Sequence, residues 1–454
     1  MIKLNFKKTI FILAFVCSLI LSTTVYLKHD KELFTKSNIQ YNNLIKGDSA
    51  HYFVKARYFQ KNIKDNKMLY FSGEYQASFL YPILIGGFYN IFNENVFNTE
   101  DIKDINPPNP TIIKLYFLIL QSLIYFISVA FLIGRLDKLD PKVKNILLLF
   151  LLFEPTIFQY HSLFMTESIY ISFLNFFLGF MLKPPVYLLG NFFLGIFLGA
   201  MYMLKTTSLY LLIPIFIYYL FYFKLKSLLK FSSIFAGYLV IIFFIGYSNY
   251  QRSGLFYFTP TQANDAIYWY LADPIYSKSK GIPSSEAYKI KKEEEQKWIN
   301  ENNINLEVEK DRIELSKFKK EYTLQIIKEA PIVTLKHVVW KTFQFLIIDP
   351  LHLSNYLRMN IVDKDYWKTE NHKIKIYINL VYSSLIYIII AIGFIKSLKN
   401  LDIRINFLLL ILSFYFTFLL GWSGGSRYNL PIIILFSLYF SFGLRQILQK
   451  FLLK

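Results

Sequence analysis

The run IIKLYFLILQSLIYFISVAFLIG, residues 112–134, carries one charge, Lys114, in 23 positions. A hydrocarbon core about 30 Å thick is crossed by roughly 20 apolar residues of helix, so this run reads as a membrane span. Working outward, comparable runs lie at 145–160, 163–182, 186–204, 207–223 and 231–248, and again at 375–395, 404–421 and 430–447. One more, at 9–27, precedes them all and follows Lys3, Lys7 and Lys8 with no small-residue cleavage site at its end, which predicts a retained first span. The expected fold class is therefore an all-α polytopic membrane protein with about ten transmembrane helices. Whole-chain values agree: 454 residues, 54% hydrophobic, 19% aromatic and 18% charged, with mean hydropathy +0.35. One water-soluble core would leave too much of that apolar surface in water.

The formal net charge of +19 suggests an anionic partner until its location is considered. With the amino terminus inside, the short inner segments hold Arg135, Lys138, Lys142, Lys144, Lys183, Lys224, Lys226, Lys230, Lys396, Lys399, Arg404, Arg445, Lys450 and Lys454, opposed only by Asp137, Asp140 and Asp402. The two long outer segments, 28–111 and 249–374, mix lysines with nearly as many acids. Cations retained on the cytoplasmic side are an orientation signal, so no nucleic-acid partner is required. A single cysteine, Cys17, excludes a disulfide framework and a cysteine-based metal site.

The segment 331–348 is long enough for a short eleventh span but contains Lys336, His337 and Lys341, each costly at bilayer depth. It is expected to lie along the outer surface as an amphipathic helix. The chain then divides into an amino-terminal transmembrane module, 1–248, which includes the first outer loop, 28–111, then a large outer loop, 249–374, and carboxy-terminal transmembrane helices, 375–454. Helical stretches are expected within the first loop at 49–64, with an apolar stretch at 79–92, and in the second loop as one charged run over 284–328.

Candidate chemistry gathers at the outer ends of the spans. Asp48, within Gly47-Asp-Ser-Ala-His-Tyr52, stands where the chain returns to the membrane surface; a partly desolvated carboxylate there gains basicity, though Asp48 is equally placed to cap the helix after it. Glu154-Pro155, His161 and Thr166-Glu167 sit at a junction between spans, and an acid opening an apolar helix is favoured by the dipole and penalised by lipid. Asp48, His51, His161 and Glu167 together offer carboxylate and imidazole ligands of the kind that suit a divalent ion. Lys205, Arg252 and Arg427, the last within Ser423-Gly-Gly-Ser-Arg-Tyr-Asn-Leu-Pro431, are outer-face cations that either snorkel to the interface or receive an anionic head group. No phosphate loop and no Gly-x-Gly-x-x-Gly fingerprint is present, and Asp363-Lys-Asp365 is too short a pattern in a charged loop to carry weight.

Taken in order, these motifs resemble the membrane glycosyltransferases of the GT-C superfamily, particularly the family 39 branch of protein O-mannosyltransferases and the aminoarabinose transferase acting on lipid A. Gly47 through Tyr52 resembles that family's first outer-loop start. Tyr81-Pro82, Pro155 through Thr166-Glu167, Lys205-Thr-Thr and Arg427-Tyr428 resemble later landmarks. Tyr250 through Thr259 with Asn264, and Ile326 through Pro331, are similar to the two ends of its large loop. Ser49 stands where a second acid is usual, which leaves the acceptor open.

The resemblance implies an inverting transfer of a sugar from a polyprenyl-phosphate donor to an acceptor hydroxyl on a lipid, glycan or protein, at the periplasmic face of a bacterial inner membrane. It implies Asp48 as general base, Glu167 as an orienting or metal-ligating acid, and Lys205, Arg252, Arg427 and Tyr428 around the donor phosphate, with a divalent metal ion as a candidate cofactor. A flippase for lipid-linked oligosaccharide is the alternative outside catalysis; it would favour internal symmetry and mid-span charges. An envelope polysaccharide polymerase or ligase would share the donor.

Overall fold

The computed structural model describes residues 6–34, 48–65, 79–96, 112–161, 163–224, 227–259, 261–306, 308–350, 370–423 and 426–452. Every regular element among them is helical. The amino-terminal half contains α1 (Phe6–Phe34), α2 (Asp48–Lys64), α3 (Leu80–Ile91), α4 (Ile113–Arg135), α5 (Pro141–Phe153), α6 (Pro155–Tyr160), α7 (Thr166–Leu182), α8 (Leu188–Leu204), α9 (Leu212–Phe223) and α10 (Ser227–Ser253). The second half begins with α11 (Gln262–Ile267), a π-helical turn (Tyr268–Ala272), α12 (Asp273–Lys280), α13 (Ser284–Glu301), α14 (Glu309–Glu329) and α15 (Pro331–Leu346). It closes with α16 (Glu370–Asn400), α17 (Ile403–Leu420) and α18 (Leu430–Leu452).

Seven segments among the described residues are long and apolar enough to cross a bilayer: Phe6–Thr24, Ile113–Arg135, Thr206–Phe223, Ser227–Gln251, Ile374–Asn400, Ile403–Ser423 and Leu430–Phe451. The chain is a polytopic helical membrane protein. The other three expected spans differ from expectation. Helices α7 and α8 are apolar but have 17 residues each, roughly 25 Å of helix at about 1.5 Å per residue. The run 145–160 is not one helix: α5 stops at Phe153, because Pro155 lacks the amide that would continue the ladder. Glu154 then caps the new helix α6, accepting from the Ile157 amide at 2.7 Å and the Thr156 hydroxyl at 2.9 Å.

Long connections collect at one end of the bundle, called here the site end, and short basic turns at the other. At the basic end, Asp140 caps α5 by accepting from the Lys142 amide and pairs with Arg445 of α18 at 2.5 Å, while Asp137 pairs with Lys183. Asp402 caps α17 in the same way through the Arg404 amide. Helix packing relies on close backbone approach at a few glycines. A Cβ on Gly195 of α8 would overlap the Ile234 carbonyl oxygen of α10, and one on Gly237 the Phe192 oxygen in return. Gly393 of α16 and Gly443 of α18 meet the Tyr439 and Ile389 oxygens likewise. Lipid tails are as apolar as leucine, so such contacts, and not hydrophobic exclusion, hold spans together.

The described part of the segment between α10 and α16 is folded. The charged run 284–328 is two helices, α13 and α14, separated at residues 302–308. Tyr268, Leu271, Ala272, Ile275 and Ile326 make a small core of their own. Beside it Lys291 pairs with Asp273 at 2.6 Å, and Lys319 with Asp265 at 2.9 Å and Glu295 at 3.4 Å. Burial pushes the Glu295 carboxyl upward, but Lys292 and Lys319 outweigh it and hold it below the ordinary range.

Helix α15 occupies residues 331–346 of the expected segment 331–348. Its start follows α14, and just past its end the Ile348 amide donates to the Ser383 hydroxyl of α16 at 2.8 Å and Asp349 pairs with Lys375 at 2.9 Å. The helix is docked through His337, whose Nδ1 lies 3.3 Å from the Lys278 ammonium and whose Nε2 lies 3.3 Å from the Tyr270 carbonyl oxygen. Burial, then Lys278, lowers the pKa of this imidazole.

Two outcomes follow for the fold. Gly443→Val should force α16 and α18 apart and lower stability by about 1–3 kcal/mol, read as an earlier thermal unfolding midpoint in detergent; an unchanged midpoint would mean the two helices do not depend on this contact. The depressed His337 pKa means that, below an unfolded value of about 6.5, the undocked state binds the extra proton. Docking of α15 should therefore be strongest above that pH and weaken as pH falls toward the folded pKa. Amide exchange over 331–346, corrected for its intrinsic pH dependence, should rise in acid for wild type but show no such step in His337→Gln.

Candidate functional site

The best-defined polar cluster at the site end is built where α7 begins and α8 stops. Met165 enters in extended conformation, so Thr166 and Glu167 sit in the first turn of α7, where unpaired amides and the helix dipole favour a carboxylate. Lys205 leaves α8 in extended conformation and is followed by a single 3-10 turn, Thr206–Ser208. This geometry brings the Lys205 ammonium 3.1 Å from Glu167 Oε1, with side-chain exposures of 10% and 4%. The Thr166 hydroxyl donates to the other carboxylate oxygen at 3.1 Å. Two aromatic rings frame the ammonium, Tyr428 with its centroid at 5.0 Å and Tyr170 at 5.5 Å, each presenting the negative face of a quadrupole. Tyr170 is held in turn by the Ser208 hydroxyl at 2.9 Å.

The first outer loop reaches this cluster through α2. Tyr52, one turn beyond Asp48, has its hydroxyl 3.4 Å from the Thr166 hydroxyl and its ring edge-on to Tyr81 of α3 at 5.1 Å. Tyr81 donates to Gln121 Oε1 at 2.6 Å, and Ser168 of α7 donates to the same oxygen at 3.0 Å. Gln121 itself donates to the Leu163 carbonyl at 3.2 Å. One polar side chain in the middle of the first-quoted span thus joins α3, α4 and the head of α7. Helices α2 and α3 pack tightly enough that a Cβ on Gly86 would stand 2.8 Å from the Ala56 carbonyl oxygen.

The expected site residues fall into three groups. Glu167, Lys205 and Tyr428 are brought together. Asp48 opens α2, Arg252 lies in the last turn of α10, and Arg427 belongs to the 3-10 turn Ser426–Asn429 immediately before Tyr428. The side chains of these three, and that of His51, lie outside the described residues. His161 is placed differently from Glu167: it is buried, its Nδ1 lies 3.4 Å from the Ser18 hydroxyl and 3.3 Å from that of Ser122, and it stacks on Tyr125 at 5.2 Å. Glu154, the other acid of this junction, is used as a cap and accepts from Tyr382 at 3.0 Å.

A metal ion held by Asp48, His51, His161 and Glu167 finds no support at the two ligands that are described. Lys205 already supplies the positive charge at Glu167, and His161 is engaged by two serine hydroxyls among aromatic rings. Among the described residues no group of three or more His, Cys, Asp and Glu side chains converges.

Sequence reasoning missed Tyr52, Tyr170 and Gln121. Tyr52 was legible as the residue four places after Asp48, on the same helix face. Gln121 was legible as a lone amide in an apolar run, whereas nothing in the spacing pointed to Tyr170. No family model, curated protein or solved structure matches the chain.

The pair itself is testable. Removing one partner of a buried ion pair leaves the other charge uncompensated and typically costs on the order of 3–5 kcal/mol. Glu167→Gln and Lys205→Met should each lower the thermal unfolding midpoint sharply, and the double variant should recover most of the loss. Additive losses would show that the two charges are not coupled.

Proposed function

We propose that the chain is an inverting membrane glycosyltransferase that moves a sugar from a polyprenyl-phosphate donor to an acceptor hydroxyl at the membrane surface. The observation that carries this reading is the aromatic-framed Lys205–Glu167 pair lying beside the first turns of α2, the helix that Asp48 opens. An acid from the first loop and a cation from a distant span are the two elements that such a transfer requires near one another. The order of motifs along the chain supports the same reading.

In this mechanism Asp48 accepts the proton of the acceptor hydroxyl as that oxygen forms its bond to the anomeric carbon. The bond from that carbon to the phosphate oxygen breaks on the opposite face, and polyprenyl phosphate leaves with the electron pair. Lys205, together with the cations at 252 and 427, stabilises the charge that develops on the leaving phosphate, and does so more strongly for being partly withdrawn from water. Glu167, already paired, acts as a positioning residue: it holds the ammonium in place and leaves proton transfer to Asp48. Tyr170 and Tyr428 restrict the ammonium to the space between them. The setting is a bacterial inner membrane with this face toward the periplasm.

Mass spectrometry of envelope lipids, glycans and proteins from cells with and without the chain should reveal one species carrying a single-sugar increment only when the wild-type chain is present. Cells producing Asp48→Asn, with the protein still in the membrane, should lack that species. No increment with wild type would overturn the transferase reading, while an increment that survives Asp48→Asn would remove Asp48 as the base and leave the transferase standing.

A further inference from the structure

Helix α15 turns a large apolar face away from the protein. At 100° per residue, Ile332, Leu335, Lys336, Val339, Trp340 and Phe343 fall in one sector of the helix. All six are exposed, and the five apolar ones have relative exposures between 56% and 69%. The opposite sector turns His337, Lys341 and Thr334 toward the protein, where His337 is buried against Tyr270 and Lys278. A helix lying in water would present its lysines outward and its Ile, Leu, Val, Trp and Phe inward. This one keeps Val333, Val338 and Phe345 inward but turns five further apolar side chains outward beside Lys336, so its outward face belongs in an apolar phase.

The neighbours of α15 indicate which phase. Gly421, at the end of span α17, lies against Thr342 so closely that a Cβ there would stand 2.7 Å from the Thr342 hydroxyl. One and two turns back along α17, Phe418 and Phe414 are 76% and 72% exposed and belong to the belt that the bilayer covers. Tyr387 of span α16 donates to the Leu346 carbonyl at 2.8 Å. The exposed face of α15 therefore continues the lipid-facing surface of two spans at the site end. With 16 residues, α15 is also shorter than each of the seven segments long enough to cross.

We propose that α15 is embedded lengthwise in the leaflet at the site end, with Ile332, Leu335, Val339, Trp340 and Phe343 among the upper acyl chains and Lys336 extending its ammonium to the lipid phosphates. Tryptophan and lysine are the residues expected at that depth. The segment just past the helix meets the candidate site at Asn429, which stands next to Tyr428 and donates from Nδ2 to the Ile347 carbonyl at 3.0 Å. A membrane-held α15 thus steadies the turn that brings Tyr428 to Lys205. The surface assignment rests on exposure and packing alone and is independent of the transferase reading.

The test is site-directed spin labelling of the full chain in liposomes of phosphatidylethanolamine and phosphatidylglycerol. Cys17 is replaced by Ser, and nitroxides are placed in turn at Val339→Cys, at Phe343→Cys and at the water-exposed control Lys289→Cys on α13. Labels at 339 and 343 should collide with oxygen several-fold more often than with a water-soluble nickel chelate, and the label at 289 should show the reverse. Labels at 339 and 343 that behave like the one at 289 would place the face in water and overturn the proposal. Labels shielded from both reagents would show that a protein surface, such as a second copy, covers the helix, and would overturn it equally.

Discussion

A peptide amide inside hydrocarbon has no water to bond with, so its partner must come from its own helix or from a side chain brought to it. That constraint governs where this chain is regular and where it is not. Spans run unbroken through the apolar interior, and helix starts and stops gather at the two ends of the bundle. Each exposed helix start then calls for an acceptor. At the basic end Asp140 and Asp402 supply it, at the α5–α6 break Glu154 does, and at the head of α7 the carboxylate of Glu167 occupies the same favourable field. Only the last is paired with a buried ammonium from another helix.

That difference separates the candidate site from the scaffold around it. Glu154 and Glu167 are both buried acids at the same junction, yet Glu154 spends its oxygens on a backbone amide, a threonine and a tyrosine. Glu167 meets Lys205, and Lys205 is walled by two tyrosines from elements far apart in the chain. Withdrawing a charge pair from water is expensive and adds little net stability compared with apolar packing.

The helical unit between α10 and α15 also gathers its charges around an aromatic ring. Lys291, Lys319, Asp265, Asp273 and Glu295 enclose the Tyr268 ring, with Lys291 Nζ 4.4 Å from its centroid. These pairs lie beside an apolar cluster of Tyr268, Leu271, Ala272, Ile275 and Ile326. The π-helical turn at Tyr268–Ala272 rotates Trp269 and Tyr270 outward, and Tyr270 meets Trp422 edge-on at 6.1 Å, joining that unit to the end of α17.

Hydropathy alone was enough to determine that this is a helical membrane protein and where seven apolar helices long enough to span lie, because transfer into lipid depends on the composition of a run and not on its neighbours. It also singled out Glu167 and Lys205, since charges at span ends are rare enough to notice, while Tyr428 entered through the family resemblance. Tertiary structure decided the rest. Pro155 cuts 145–160 into two helices because a missing amide breaks a ladder that average hydropathy does not register. Glu167 rather than Glu154 faces a cation, and His161 turns to serines, because those choices depend on which helix ends become neighbours. Neighbourhood is set by glycine contacts and polar anchors such as Gln121, whose partners lie 40 to 47 residues away, and no local pattern encodes a distance of that kind.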